Sequence, residues 1–143
     1  MTSSISACGV LCSECPAYLG AARGAMHQQR TADAWRRIYG LTETAADISC
    51  GGCLSRDGDV FRTSRTCKAR LCCRSKSFAS CAECPVDSCP DLEKAQSAWD
   101  GVPGLLATLT PADFAEYALP YCGHRQRLAE ARAAWRGRSR SAD

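Results

Sequence analysis

The sequence predicts a small, mostly α-helical domain with cysteine-rich metal-binding loops and little or no β-structure. The 143-residue chain contains twelve cysteines, and all but Cys122 fall in tight clusters. Apolar residues recur at helical spacing between the clusters, whereas no strand-like alternation or βαβ pattern occurs. Because aromatic residues make up only 7% of the chain, we expect bound metal to help hold the fold together.

The first cysteine loop spans residues 8–18, where Cys8, Cys12 and Cys15 place three sulfurs on a tight turn. Small, helix-tolerant residues follow from 17 to 24. Beyond them Thr31 is predicted as a helix N-cap and Gly40 as the end of that helix.

A stripe of apolar residues at helical spacing runs along this predicted helix. It consists of Trp35, Ile38 and Tyr39. Such a stripe is typical of core packing rather than of a cofactor site.

The second loop, Cys50-Gly51-Gly52-Cys53, contains glycines that let the backbone turn so that amide N–H groups point at sulfur. Asp57-Gly58 marks a following turn. The third and densest region runs from residue 67 to residue 89. Its cysteines are Cys67, Cys72, Cys73, Cys81, Cys84 and Cys89.

Three helices are predicted after the cysteine loops. Pro90 is suited to the first position of a helix ending near Trp99, and Thr110 to the N-cap of a short helix ending near Pro120. The last predicted helix covers residues 124–136. Its inward residues are expected to be Leu128, Ala131 and Trp135.

This order divides the chain into three regions. Residues 1–100 form the cysteine-rich metal-binding region, residues 101–138 a helical extension packed on it, and residues 139–143 a disordered basic tail. The N-terminus lacks the charged and apolar stretches of a secretory signal, so we expect a cytoplasmic protein with reduced cysteines and no membrane association.

Four of the motifs occur in an order that resembles a known family. They are Cys8-Gly9-x2-Cys12-x2-Cys15-Pro16-Ala17-Tyr18, Cys50-x-Gly52-Cys53, Cys67-x2-Arg70-x-Cys72 and Cys81-Ala82-x-Cys84-Pro85-x4-Cys89. The pattern is similar to that of an uncharacterised cysteine-rich family of bacteria and archaea, domain of unknown function 3795. The resemblance covers roughly residues 8–100. It implies a single-domain metal-binding protein and supplies no activity.

The expected metal ligands are the cysteines that fall on this pattern. They are Cys8, Cys12, Cys15, Cys50, Cys53, Cys67, Cys72, Cys81, Cys84 and Cys89. Cys73 and Cys122 lie outside it. Cys50 with Cys53, and Cys81 with Cys84, are each expected to share a metal, and Cys8, Cys12 and Cys15 another.

Two metals fit these thiols. Structural zinc favours closely spaced cysteine pairs and is the expected metal. Cysteine runs ending in Cys-Pro are typical of iron–sulfur ligation, so a [4Fe-4S] cluster is the alternative. The histidines, His27 and His124, lie outside the clusters and are expected at the surface.

Three functions remain open from the sequence. The first is a binding module with a structural metal and a protein partner, because the chain has two histidines and no paired carboxylates for acid–base catalysis. The second is iron–sulfur electron transfer or metal handling, in which Cys73 or Cys122 is a working thiol whose pKa nearby arginines lower.

The third is nucleic-acid binding through basic segments. One segment lies between residues 60 and 78 and another after residue 124, although both are more typical of solvated faces. The basic residues of the first are Arg62, Arg65, Lys68, Arg70, Arg74 and Lys76.

Overall fold

The computed structural model describes residues 5–141, with side chains described as far as Arg138. The helices are α1 (Gly20–Arg23), α2 (Ala25–Tyr39), α3 (Lys68–Lys76), α4 (Pro90–Ser97), α5 (Pro111–Tyr117) and α6 (His124–Ser141). Short 3₁₀ turns and loops join them. Over residues 5–141 no β-strand forms, and the β contacts found are two isolated bridges, Ile5 with Leu11 and Tyr18 with Cys50. The predicted helical class is therefore confirmed.

Helix α2 begins earlier than the sequence suggested. It starts directly after Gly24, whose φ of 102° suits glycine, so Thr31 lies inside the helix and is buried rather than capping it. The predicted end at Gly40 is confirmed, since its left-handed backbone donates its N–H to the carbonyl of Arg36. Trp35 is buried and meets Phe61 edge to face at 5.2 Å between ring centroids.

Helix α3 was not foreseen, because cysteine spacing dominates that part of the sequence. Its residues, KARLCCRSK, are mostly good helix formers. The helix buries Arg70 and Cys73 on one side, whereas Lys68, Arg74 and Lys76 are exposed. This helix therefore carries both a buried charge and a buried thiol.

The starts of α4 and α5 agree with the sequence. Pro90 occupies the first turn of α4, and the sulfur of Cys89 accepts a hydrogen bond from the Leu92 N–H at 3.4 Å. Thr110 caps α5 by accepting from the Asp113 N–H at 3.2 Å. Both helices pack their buried residues against the same core.

Helix α6 lies against the cysteine loops. Leu128 is buried, and Arg127 donates to the Gly9 carbonyl at 2.6 Å while Arg132 donates to the Cys81 carbonyl at 3.0 Å. The prediction that Trp135 points inward is wrong. Trp135 is 37% exposed and lies beneath the guanidinium of Arg138, at 5.9 Å from its ring centroid.

The last helix extends to Ser141, beyond its predicted end. The side chains of the predicted disordered tail, residues 139–143, lie outside the described part of the chain, as does the backbone of residues 142 and 143. Among the helices of residues 5–141, none has the length and apolar character needed to cross a membrane.

Candidate metal centre

Six cysteines from three separate segments lie within electrostatic range of one another. We call them the N-terminal cysteine cluster: Cys8, Cys12, Cys15, Cys50, Cys53 and Cys67. The first two loops are joined by backbone hydrogen bonds, from Cys50 to the Ala17 carbonyl and from Leu19 to the Cys50 carbonyl, each 2.8 Å. Local pairing of the two loops therefore positions the sulfurs.

The thiols of this cluster influence one another electrostatically. Burial, and after it the neighbouring charges of Cys53, Cys15 and Cys50, raise the pKa of Cys12 to about 12. Burial, together with the charges of Cys8 and Cys67, likewise raises the pKa of Cys53 to about 11. Without a cation, these sulfurs therefore resist carrying negative charge together.

Hydrogen-bond donors face several of the sulfurs. The Ala7 N–H donates to Cys53 Sγ at 3.5 Å, and the backbone N–H of Cys53 faces the sulfur of Cys12, where it lowers the Cys12 pKa. This matches the expected role of the Gly51-Gly52 turn, in which Gly52 has a φ of 101°. Donors of this kind stabilise thiolates in metal sites.

A buried tyrosine supplies a further donor. The hydroxyl of Tyr121 lies 3.0 Å from Cys15 Sγ, and its hydrogen bond lowers the Cys15 pKa against the larger raising effect of burial. Trp99 stacks on the Tyr121 ring at 4.8 Å and 16°, which fixes its orientation.

Arg70 lies fully buried behind the second loop. Its Nε donates to the Cys53 carbonyl at 2.6 Å, Nη2 to the Ser55 carbonyl at 2.6 Å, and Nη1 to Asp57 Oδ1 at 2.9 Å. The interpretation of the first basic segment as a solvated face is therefore wrong for Arg70. The guanidinium fixes the loop that carries Cys53, and its charge lowers the Cys53 pKa.

The remaining cysteines are distributed over other elements. We call them the outlying cysteines: Cys72, Cys73, Cys81, Cys84, Cys89 and Cys122. The buried sulfurs of Cys73 and Cys81 lie 3.6 Å apart, and this contact, together with burial, raises the pKa of Cys81. The guanidinium of Arg70 donates its hydrogen bonds to the second loop. The sulfur of Cys73 therefore contacts the Cys81 thiol rather than Arg70.

Cys122 does not have the character of an activated thiol. Its sulfur donates to the Ala118 carbonyl at 3.4 Å, and burial raises its pKa against the opposing charge of Arg127. A raised pKa lowers the fraction of nucleophilic thiolate at neutral pH.

The donor types fit a thiophilic metal, but the ligand geometry is not preformed. Among the side chains described between residues 5 and 138, no three Cys, His, Asp or Glu groups lie close enough together to hold one ion. Ligation by the N-terminal cysteine cluster therefore requires side-chain rotation of its sulfurs toward a common point.

The two histidines bind backbone carbonyls. His27 Nε2 donates to the Pro16 carbonyl at 2.7 Å. His124 is buried, which corrects the surface prediction, and its Nε2 donates to the Gln96 carbonyl at 2.8 Å. Because a carbonyl only accepts, each Nε2 carries a proton and is not free for metal.

Many arginines of the two basic segments are bonded within the molecule. The pairs are Arg62 with Glu43, Arg74 with Asp57, Arg125 with Glu93 and Asp100, and Arg136 with Asp87. These contacts orient the arginine side chains toward the protein's own acids and carbonyls.

Arg70, Tyr121 and Ala7 were not identified as site residues from the sequence. The sequence could have indicated Arg70 as a site residue, since it lies inside the Cys67-x2-Arg70-x-Cys72 motif. No sequence pattern indicates Tyr121 or the Ala7 amide, because their positions depend on how α6 and the preceding turn fold back on the first loop.

Comparisons with known proteins give one match. No curated protein and no solved structure shows significant similarity to the chain. Residues 4–94 match the model of a family described as protein of unknown function, DUF3795. Because this match spans more than half of the chain and contains the whole N-terminal cysteine cluster, the chain belongs to the DUF3795 family.

Proposed function

We propose that this chain is a metal-binding protein whose N-terminal cysteine cluster holds a structural metal, with zinc as the expected ion. One observation carries the proposal. Thiols from three separate segments converge on one region, and backbone and side-chain donors face their sulfurs. Such convergence is typical of structural thiolate sites, in which ligands distant in sequence close a loop-rich fold.

The metal's contribution would be charge neutralisation and cross-linking. Burial and mutual repulsion raise the pKa values of Cys12 and Cys53, and a bound cation favours their thiolates. The chain's own residues hold these thiols in place: Arg70 fixes the Cys53 loop and Tyr121 orients Cys15. The helical surface around the site is then available to a protein partner.

That Cys81 and Cys84 share a metal, and that Cys72 and Cys89 are also ligands, stays a prediction. Cys81 is already in contact with the sulfur of Cys73. The N-terminal cysteine cluster is therefore the first metal site to test.

Elemental analysis and visible absorption of protein purified without oxygen test the proposal. Zinc in a colourless solution supports a structural module. Iron with acid-labile sulfide and a brown colour supports the alternative, a [4Fe-4S] cluster with a role in electron transfer. Protein that is folded and free of both metals would contradict metal binding altogether.

Matched variants locate the metal. The double variant Cys50→Ser/Cys53→Ser should lose the metal of the N-terminal cysteine cluster, whereas Cys84→Ser/Cys89→Ser should retain that metal. Nucleic-acid binding has less support, because the arginines that would contact phosphates pair with Glu43, Asp57, Glu93 and Asp87.

A further inference from the structure

The pair formed by Cys73 and Cys81 is a second thiol site, separate from the N-terminal cysteine cluster. Their sulfurs lie 3.6 Å apart, and both residues are buried, at 1% and 8% exposure. Cys73 belongs to α3, whereas Cys81 begins the 3₁₀ turn Cys81–Glu83. A disulfide requires the two sulfurs to approach from this van der Waals contact to about 2.05 Å.

The backbone of each cysteine is fixed by hydrogen bonds. The Cys73 carbonyl accepts from the Phe78 N–H at 2.9 Å, which closes the end of α3. Cys81 donates its N–H to the Ala7 carbonyl at 3.1 Å and accepts from Arg132 at 3.0 Å. The contact between the sulfurs therefore follows from the packing of two anchored elements.

A small oxidant can reach this pair from the surface. Cys73 lines a cavity of about 320 Å³ whose other walls include Leu54, Arg74 and Phe78. The cavity therefore offers a small oxidant an approach to Cys73.

We propose that Cys73 and Cys81 form a redox-active dithiol that a peroxide oxidises to a disulfide. Cys73 Sγ attacks one peroxide oxygen, the O–O bond breaks, and the sulfur becomes a sulfenic acid as water leaves. Cys81 Sγ then attacks this sulfur, the S–S bond forms, the S–O bond breaks, and a second water leaves. The two thiols lose two electrons and two protons, and hydrogen peroxide is reduced to two waters.

The disulfide joins the two supports of Cys53. Helix α3 holds the Cys53 carbonyl through Arg70, and the Cys81 turn binds Ala7, whose N–H donates to Cys53 Sγ. Oxidation of Cys73 and Cys81 thus cross-links the two elements that hold Cys53 in place. It uses none of the sulfurs of the N-terminal cysteine cluster. This inference does not depend on which metal that cluster binds.

Peptide mapping tests the proposal on the full chain as purified without oxygen. The protein receives one equivalent of hydrogen peroxide, free thiols are alkylated under denaturing conditions, and trypsin releases residues 71–74 and 77–94 as separate peptides. The expected product is these two peptides linked, lighter by two hydrogens than their sum. Fragmentation of the wild-type product identifies the linked sulfurs, so the result does not require that a variant fold.

Neighbouring cysteines provide matched controls. The link should disappear in Cys73→Ser and Cys81→Ser and persist in Cys72→Ser and Cys84→Ser. A link through Cys72 or Cys84, or both thiols of the pair still alkylated after peroxide, overturns the proposal. Loss of bound metal in Cys73→Ser and Cys81→Ser, but not in Cys72→Ser, also overturns it, because the pair would then be metal ligands.

Discussion

The N-terminal cysteine cluster and the outlying cysteines each contain a Cys-x2-Cys motif, but the fold places different residues around the motif in each set. Cys50-x2-Cys53 and Cys81-x2-Cys84 have the same separation in the sequence. The first pair joins thiols from two other segments, whereas the second pair places Cys81 against Cys73 and Cys84 at the end of a 3₁₀ turn.

The difference lies in the surroundings of each pair. The second loop, Cys50–Cys53, has Gly52 at a φ that suits glycine, a paired neighbouring loop, and Arg70 donating to the carbonyls of Cys53 and Ser55. The Cys81–Glu83 turn follows Ser80, which accepts from the Ala82 N–H, and it packs beneath α6. Cysteine spacing therefore defines a candidate ligand pair, and the supporting residues decide which thiols it meets.

Removing thiols should give the largest difference between the two sets. In Cys50→Ser/Cys53→Ser we expect loss of the bound metal and a fall of roughly 3 kcal/mol or more in the free energy of unfolding, because structural metal sites contribute folding energy directly. In Cys84→Ser/Cys89→Ser we expect this metal to be retained and stability to change by no more than about 1 kcal/mol, because a serine hydroxyl at position 89 can still accept the Leu92 N–H at the start of α4.

The checks are elemental analysis and urea unfolding followed by circular dichroism. Chelation of metal from the wild type should reproduce the unfolding seen in the first variant. Metal lost from the second variant and kept by the first would reverse the proposed roles of the two regions.

Replacing Arg70 by methionine should give the next largest effect. The change leaves the half-buried carbonyls of Cys53 and Ser55 without their donor, at a cost of up to about 1–3 kcal/mol for each unsatisfied group. Arg74→Met is the matched control, since Arg74 binds the same Asp57 carboxylate but is 35% exposed.

We expect Arg74→Met to cost no more than about 1 kcal/mol, the usual value for surface ion pairs. Urea unfolding and metal content measure both variants. Equal losses in the two would show that Arg70 acts only through Asp57 and does not support the Cys53 loop.

Gly9→Ala tests whether the first loop depends on α6. Both Gly9 and Gly24 have a φ above 100°, so alanine is strained at either position, by about 1–3 kcal/mol. At Gly9 an added Cβ would also lie 2.1 Å from the His124 carbonyl oxygen, whereas at Gly24 it meets open space.

Gly9→Ala should therefore destabilise the protein more than Gly24→Ala, by roughly a further 1 kcal/mol as α6 shifts away. Thermal unfolding of the two variants gives the comparison. Equal melting temperatures would mean that α6 moves aside freely and that the first loop is independent of it.

The smallest expected effect is the pH dependence from Glu43, which lies outside both cysteine sets. A hydrogen bond from Arg62 holds the pKa of this buried carboxyl below its usual value, so the folded state favours the ionised form. This contribution is fully present above the unfolded pKa and is lost as pH falls through the lower folded pKa.

Between pH 7 and pH 3 the free energy of unfolding should fall more in the wild type than in Glu43→Gln, by about 1 kcal/mol or less. Glu130→Gln is the control, because Glu130 is exposed and accepts a hydrogen bond from Gln126 in its own helix. If Glu43→Gln leaves the pH dependence of the free energy of unfolding unchanged, this carboxyl does not contribute to destabilisation by acid.

The helical class and several helix ends were predictable because local residues determine them. Gly40, Pro90 and Thr110 act through their own backbone or cap geometry, and the structure confirms each. The start of α2 was predicted wrongly at Thr31, since Gly24 supplied a stronger local start and tertiary packing buried the threonine.

The candidate site was predictable in its residue types but not in its grouping. The spacing indicated Cys50 with Cys53, yet no local pattern specifies that Cys67 and Cys8 adjoin them. That arrangement depends on long-range contacts, such as Arg70 with Cys53 and Arg127 with Gly9, which the sequence does not encode locally.

The bonds from α6 to the first loop also have a consequence for the order of folding. All six sulfurs of the N-terminal cysteine cluster precede residue 68, whereas Arg127 and His124, which contact Gly9, come late in the chain. During synthesis the cluster is therefore complete before the helix that covers its first loop exists. Contacts that span over a hundred residues form slowly, which leaves an interval in which the proposed metal would enter from an uncovered side.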